Sequence, residues 1–270
     1  MAIAFVAATT AGAATGGNLT VNKPTGTLDG HIMIVAAYRE AGTWTAPAGW
    51  SSIRDQAQST TLWTQMFWKR ASSEGASYEF ALSTSTYRTI AIASFSGCLA
   101  SGDPVETSNG TNSASGYTTL ASVTTTTDGC MLVGGTGNYA GTNLTLRTGT
   151  ITQATSGYLA GTEIWYKTIS PAGASGTFDF NPSTQVYATV TAALIPAAAQ
   201  TLEQEGYRWR SDDGNETGAT WLANQDANIT QAIDTNTRLR MLVNSTGNPD
   251  AAQFQLEWKL STDSVWRKVQ

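Results

Sequence analysis

The spacing of apolar residues constrains the fold more than any other feature. No stretch of the chain sustains a 3.6-residue apolar period over three turns. Apolar runs of strand length recur instead at intervals of about 8–15 residues, bounded by Gly, Pro, Asn, Asp and Ser. Candidate strands cover residues 2–8, 19–21, 31–38, 60–70, 77–82, 89–97, 130–135, 145–147, 161–168 and 185–195. The run at 31–38 is almost continuously apolar, which predicts a central strand covered on both faces. The run at 89–97 alternates large and small side chains and sends Ile90, Ile92 and Phe95 toward a core. Pro47-Ala-Gly-Trp50 reads as a turn with an aromatic anchor. The expected fold is all-β, with a jelly-roll-like β-sandwich as its main body.

A texture change near residues 196–200 predicts two domains, 1–197 and 198–270. Residues 1–197 carry 18 charged side chains and the last 73 residues carry 17, so charge density roughly doubles. The second domain reads as a small β-sandwich or Ig-like module with strands near 202–210, 219–222, 237–244, 253–260 and 265–269. Its segments 238–243 and 254–260 place apolar and polar residues on opposite faces, as in a half-exposed antiparallel sheet. A module of about 70 residues is marginally stable alone.

Composition excludes several function classes. Charged residues make up 13% of the chain, about half the usual share. The net charge is −5 and the 15 Lys and Arg are scattered, which disfavours nucleic acid as a partner. No run of 18 apolar residues exists, so no transmembrane helix and no membrane partner are expected. The first basic residue is Lys23, so the start lacks the basic region of a secretory signal and reads as a strand. His31 is the one histidine, and Cys98 and Cys130 are the two cysteines. A zinc site in one chain is excluded by ligand count, and neither a metal nor a cofactor is expected. Cys98 follows a strand and Cys130 opens one, and spacing leaves open whether they pair.

Each candidate for chemistry has a plainer alternative. A glycosidase needs two carboxyl groups across a cleft. Of ten acidic residues in 1–197, only Glu79 and Glu163 lie within strand-like runs where they would face a groove. His31 opens an apolar strand, and no Gly-x-Ser-x-Gly elbow accompanies it, so a structural role is expected. Residues 212–216 (Asp-Asp-Gly-Asn-Glu) lack the ligand spacing of an EF-hand and read as a hairpin turn. Asn-x-Ser/Thr patterns at Asn18, Asn109, Asn143, Asn215, Asn228 and Asn244 matter only on a eukaryotic secretory route. Trp44, Trp50, Trp63, Phe67 and Trp68 form either a sugar-stacking platform or part of the core, with Trp63 and Phe67 on one strand face and Trp68 on the other. No residue is assigned a catalytic, cofactor-binding or metal-binding role, and the chain is not expected to be an enzyme.

Two stretches carry a resemblance. Val21-Asn-Lys-Pro-Thr-Gly-Thr-Leu-Asp-Gly-His-Ile-Met-Ile-Val-Ala36, Thr45-Ala-Pro-Ala-Gly-Trp50 and Ile90-Ala-Ile-Ala-Ser-Phe-Ser-Gly97 resemble a jelly-roll-like module of tailed-bacteriophage virion proteins. Residues 203–216, Ala219-Thr-Trp-Leu-Ala223, Asn236-Thr-Arg-Leu-Arg-Met-Leu-Val243 and residues 254–269 are similar to a C-terminal β module of phage structural proteins. The resemblance implies a non-enzymatic structural protein on a virion surface, assembled in the host cytoplasm, as capsid decoration or a head fibre. The alternative it implies is a tail-associated or carbohydrate-binding adhesion protein. Expected partners are major capsid or tail subunits and further copies of the chain, a trimer by analogy, with a host surface glycan as a further candidate. Members of that group often continue past the final Trp-Arg-Lys-Val, so an open edge completed by a neighbouring chain is expected.

Overall fold

Ile32–Arg39 is buried at every position, on both faces of the strand. The reason lies in its neighbours. In the computed structural model the chain divides into two compact units, Met1–Ala197 and Ala198–Gln270. All residues are described except 1, 140–142, 156–160, 183–184, 200, 216, 247–256, 260–261, 263, 266 and 269–270. Every regular element among the described residues is a strand, and no helix among them is long and apolar enough to cross a membrane.

The first half of unit 1 contains β1 (Ala4–Ala13), β2 (Leu19–Asn22), β3 (Ile32–Arg39), β4 (Trp44–Thr45), β5 (Ser51–Gln58), β6 (Leu62–Arg70), β7 (Ser77–Leu82) and β8 (Arg88–Ser96). A five-stranded antiparallel sheet in the order β1-β8-β3-β6-β5 packs on a three-stranded sheet in the order β2-β7-β4. An order of 1-8-3-6 facing 2-7-4 is that of a jelly roll, with the fifth strand moved onto the larger sheet. The second half contains β9 (Val105–Ser113), β10 (Thr118–Leu120), β11 (Cys130–Asn138), β12 (Thr145–Leu146), β13 (Thr152–Thr155), β14 (Thr162–Ile169), β15 (Phe178–Asn181) and β16 (Tyr187–Leu194). Its sheets run β9-β16-β11-β14-β13 and β10-β15-β12, which is the first order with eight added to every strand.

Unit 1 is therefore two jelly rolls of one topology. Register repeats along with order. Ile32 faces Phe95, and Met131 faces Leu194, both shifted by 99 residues. The motif Thr64-Gln-Met-Phe-Trp-Lys69 on β6 returns as Thr162-Glu-Ile-Trp-Tyr-Lys167 on β14. The Asp-Gly turn before the central strand also repeats. Gly30 and Gly129 both hold positive φ, at 86° and 76°. Gly30 N donates to Ala71 O at 2.9 Å and Gly129 N to Ile169 O at 3.0 Å. The neighbouring carboxylates do the same work: Asp29 Oδ1 accepts from Ser73 N at 2.7 Å, and Asp128 Oδ1 from Ala172 N at 2.6 Å.

The two large sheets pack face to face, so β3 and β11 have a layer on each side. Ile32, Ile34, Met66 and Phe95 meet Met131, Val133, Ile164 and Leu194 in the central layer. Each small sheet closes an outer core. One contains Val35, Trp44, Phe67 and Phe80. The other contains Leu132, Trp165, Phe178 and Phe180. The central contact has approximate two-fold symmetry. Ala36 and Gly135, equivalent by the 99-residue shift, face each other, and a Cβ added to Gly135 would lie 2.7 Å from that of Ala36. Thr64 Oγ1 donates across the interface to Ala188 O at 2.7 Å, and its counterpart Thr162 bonds Thr89, which is equivalent to Ala188.

Unit 2 is built differently. β17 (Thr201–Ser211) and β18 (Thr237–Thr246) form a long antiparallel ribbon with a bulge between Gln204 and Gly206. Residues 219–226 run along the outer edge of β17, with Leu222 N bonding Trp209 O and Asp226 N bonding Tyr207 O. β19 (Glu257–Trp258) and β20 (Arg267–Lys268) form a second, short pair. A small two-layered sandwich was the sequence expectation; the described residues form these two ribbons.

Candidate functional site

The residues singled out in unit 1 are mostly occupied by the fold. Glu163 is fully buried. Its Oε1 accepts from Leu144 N at 2.9 Å and its Oε2 from Trp165 Nε1 at 3.0 Å. Burial pushes its carboxyl up to about 7, against the opposing pull of these donors and of Gln153. Gln65 occupies the equivalent site in the first jelly roll. Glu79 lies on the small sheet β2-β7-β4 and accepts from Asn18 Nδ2 at 2.9 Å. These two carboxylates thus sit on different sheets of different jelly rolls and are not brought together; Asp55, Glu106 and Asp179, expected in turns, also lie on strands.

His31 is half-buried, and its Nδ1 accepts from Leu28 N at 3.3 Å, inside the Asp-Gly turn. Burial lowers its pKa, which favours the neutral ring that this bond requires. Cys98 and Cys130 are both buried free thiols. Desolvation pushes both up to about 12, and Glu106 adds to the shift at Cys130. Neither is a competent nucleophile at neutral pH. Among the described residues no group of three or more His, Cys, Asp or Glu could hold a metal ion.

The aromatic residues do not form a row. Trp44 and Phe67 are buried in an outer core, where Trp50 packs against Tyr78 and Phe80 with centroids 5.2 and 5.4 Å away. Trp63 is covered by the Arg39 guanidinium at 5.3 Å, which also grips Asp55 through two hydrogen bonds of 2.6 and 3.1 Å. Trp68 points the other way, into the central layer. Alternation along β6 therefore separates Trp63 and Phe67 from Trp68.

In the turn at residues 212–215, Asp212 pairs with Arg238 at 2.6 Å, Asp213 accepts from Thr220 N, and Asn215 accepts from Thr217 N and Gly218 N. These oxygens close the turn rather than converge on an ion. Glu216 lies outside the described residues. Among the sequon amides, those of Asn109 and Asn244 donate to Ser122 O and Glu205.

Exposed large apolar side chains concentrate in unit 2. Eight of the ten among the described residues lie there, against Leu28 and Tyr139 in unit 1. The ribbon has two unlike faces. One pairs Arg208 with Arg240 and Arg210 with Arg238. On it Trp221, 39% exposed, stacks with the guanidinium carbons of Arg208 and Arg210 at 4.1 and 4.6 Å. A shallow groove of about 320 Å³ lies beside this stack, lined by Arg208, Trp221, Gln225, Arg240 and Leu242 of this face and reaching Tyr207 and Met241. The other face carries Leu202, Tyr207, Trp209, Leu239, Met241 and Val243 in one stripe. Nothing in composition located this surface. The alternation in residues 238–243 was the available signal. No family model matches the sequence, and no curated protein or solved structure matches it either.

Proposed function

We propose that this chain is a non-enzymatic structural subunit on the surface of a tailed-bacteriophage virion, as capsid decoration or a head fibre. The observation that carries the reading is the division of labour between the units. Unit 1 spends polar groups such as the turn carboxylates of Asp29 and Asp128 and the buried Glu163 on its own turns and strands. Unit 2 presents half-exposed apolar side chains, the chemistry of a protein contact. The sequence resemblance supports the same reading. The experiment is mass spectrometry of purified phage particles from a host expressing this chain with its neighbouring reading frames. A fixed copy number relative to the major capsid protein is expected. A chain that stays in the soluble fraction after particle purification refutes the proposal.

A second reading is favoured by one feature. Trp221 exposes an aromatic face beside arginine and amide donors, a pattern suited to a sugar ring. Under this reading the chain is a tail-associated adhesion protein. Glycan-array binding by the full chain that is lost in Trp221→Ala would favour it, and no binding by the wild type would remove it.

A further inference from the structure

We propose that the groove beside Trp221 takes a pyranose that carries a carboxylate, and that Arg208 is the group that reads the charge. The inference rests on the adhesion reading above, in which Trp221 stacks on a sugar ring, and it names the class of sugar. The platform is held in place before any ligand arrives. Trp221 bridges to Arg210 on β17, and the next residue bonds back through Leu222 N to Trp209 O at 3.0 Å. The Arg208 guanidinium is fixed from two directions, by its Nε donating to Ala223 O at 2.9 Å and by the Trp221 ring 4.1 Å from its central carbon. Groups ordered in advance cost less to bind with.

What Arg208 leaves open decides the chemistry. Its Nη1 and Nη2 have no acceptor among the described residues. That terminal edge offers parallel N–H groups, the fork that matches a planar carboxylate. Two other cations of this face are engaged in the fold. Arg210 is 3% exposed and donates to Ala219 O, and Arg238 pairs with Asp212 at 2.6 Å. Arg240 lines the groove from β18 and makes it more positive. Among the described residues no Asp or Glu lines the groove. The nearby Asp226 turns its oxygens to Tyr207 N and Gln225 Nε2, at 2.8 and 3.3 Å. Around the fork, Trp221 and Leu242 supply an apolar wall for the C–H face of a sugar ring, and the Gln225 side-chain carbonyl supplies an acceptor for a hydroxyl. At about 320 Å³ the groove is at the small end of ligand pockets, the size for a sugar unit rather than for a peptide strand.

The test is a glycan array probed with the full chain. It carries glucuronate-, galacturonate- and sialate-terminated glycans beside the same glycans as carboxamides, and titration calorimetry of the best ligand follows. At least one acidic glycan should bind about tenfold or more tighter than its amide, which keeps the shape and loses the charge. Arg208→Gln should abolish that preference. Arg208→Lys should lower the affinity several-fold, because lysine keeps the charge but not the fork. Trp221→Ala should lose binding altogether. Equal binding of acid and amide overturns this inference and leaves the adhesion reading standing, whereas no binding of any glycan removes both. An acid preference that survives Arg208→Gln puts the site elsewhere and overturns the proposal. Displacement of the glycan by an equal concentration of acetate does the same, because the sugar ring then contributes nothing. Should Arg208→Gln disturb folding, Arg208→Lys decides: an affinity for the acid equal to that of the wild type refutes the role of the fork.

Discussion

Gly135→Ala tests the two-fold packing of unit 1 at its centre. The added Cβ would sit 2.7 Å from Ala36 Cβ and 3.0 Å from Met66 Cε. The methionine end is flexible and can yield, but Ala36 Cβ is fixed to the backbone of β3, buried at every position. Overpacking of this kind costs about 1–3 kcal/mol. The gain from removing a strand glycine, about 0.5–1 kcal/mol, offsets part of it. A net loss of about 0.5–2 kcal/mol follows, which in a unit of this size lowers the melting temperature by roughly 1–8 °C. The symmetry supplies a sharper control. Ala36 and Gly135 are equivalent positions facing each other, and together they have room for one methyl group. In the double variant Ala36→Gly/Gly135→Ala that methyl moves to the opposite sheet. The new Cβ then has Ala36 Cα at 3.8 Å, an ordinary contact. The swap should lie within about 1 kcal/mol of wild type, although each single change is destabilising; such a cycle reads the coupling directly. Chemical and thermal denaturation of the four proteins is the assay. If Gly135→Ala alone is neutral, or if the swap costs the sum of the singles, the two large sheets do not meet at these residues.

Three further outcomes follow from individual groups. The raised pKa of Glu163 means that the folded state holds a proton that the unfolded state releases, so its contribution to stability is full below pH 4.5 and falls as pH rises to about 7. That window corresponds to about 3 kcal/mol; Glu163→Gln should flatten this part of the stability–pH curve while lowering its low-pH plateau, and an unchanged slope counts against the buried carboxyl. Asp29→Ala and Asp128→Ala each remove one acceptor from a loop N–H, at equivalent turns of separate jelly rolls. Urea titration should show losses of about 1 kcal/mol apiece that add in the double variant, and a non-additive result would mean that the turns are coupled. Cys98 and Cys130, with thiols pushed up to about 12, should resist a disulfide reagent at pH 8 in the native chain and react in urea; prompt native reaction would contradict their burial.

Much of unit 1 was legible strand by strand. The continuous apolar run at 31–38 announced a strand covered twice, and Ile32–Arg39 is buried throughout. Trp63, Phe67 and Trp68 divide between faces as period-two alternation requires. The duplication was not read, although its traces were present in Asp29-Gly30 and Asp128-Gly129 and in the two Thr-x-x-x-x-Lys motifs of β6 and β14. Its signal is thin for a physical reason. A jelly roll keeps its topology through turn geometry and buried volume, so only positions with a special backbone or a polar contact hold their identity. The core positions exchange freely among apolar types, as Ile32 against Met131 and Phe95 against Leu194 show. The pairing of Gln65 with Glu163 was equally hidden. The two side chains have one shape, and only the depth of burial, set by tertiary packing, separates an amide from a carboxyl held near neutrality.

Duplication also explains why unit 1 exposes few of its large apolar side chains. A single jelly roll of this topology leaves the outer side of its large sheet uncovered, and such a sheet needs a partner. Here the partner is the second copy within the same chain, and the central layer from Ile34 to Val133 and Val190 is closed. The apolar requirement of unit 1 is met internally, which leaves Leu28 and Tyr139 as its exposed large apolar residues among those described. The other eight exposed large apolar residues among those described lie in unit 2.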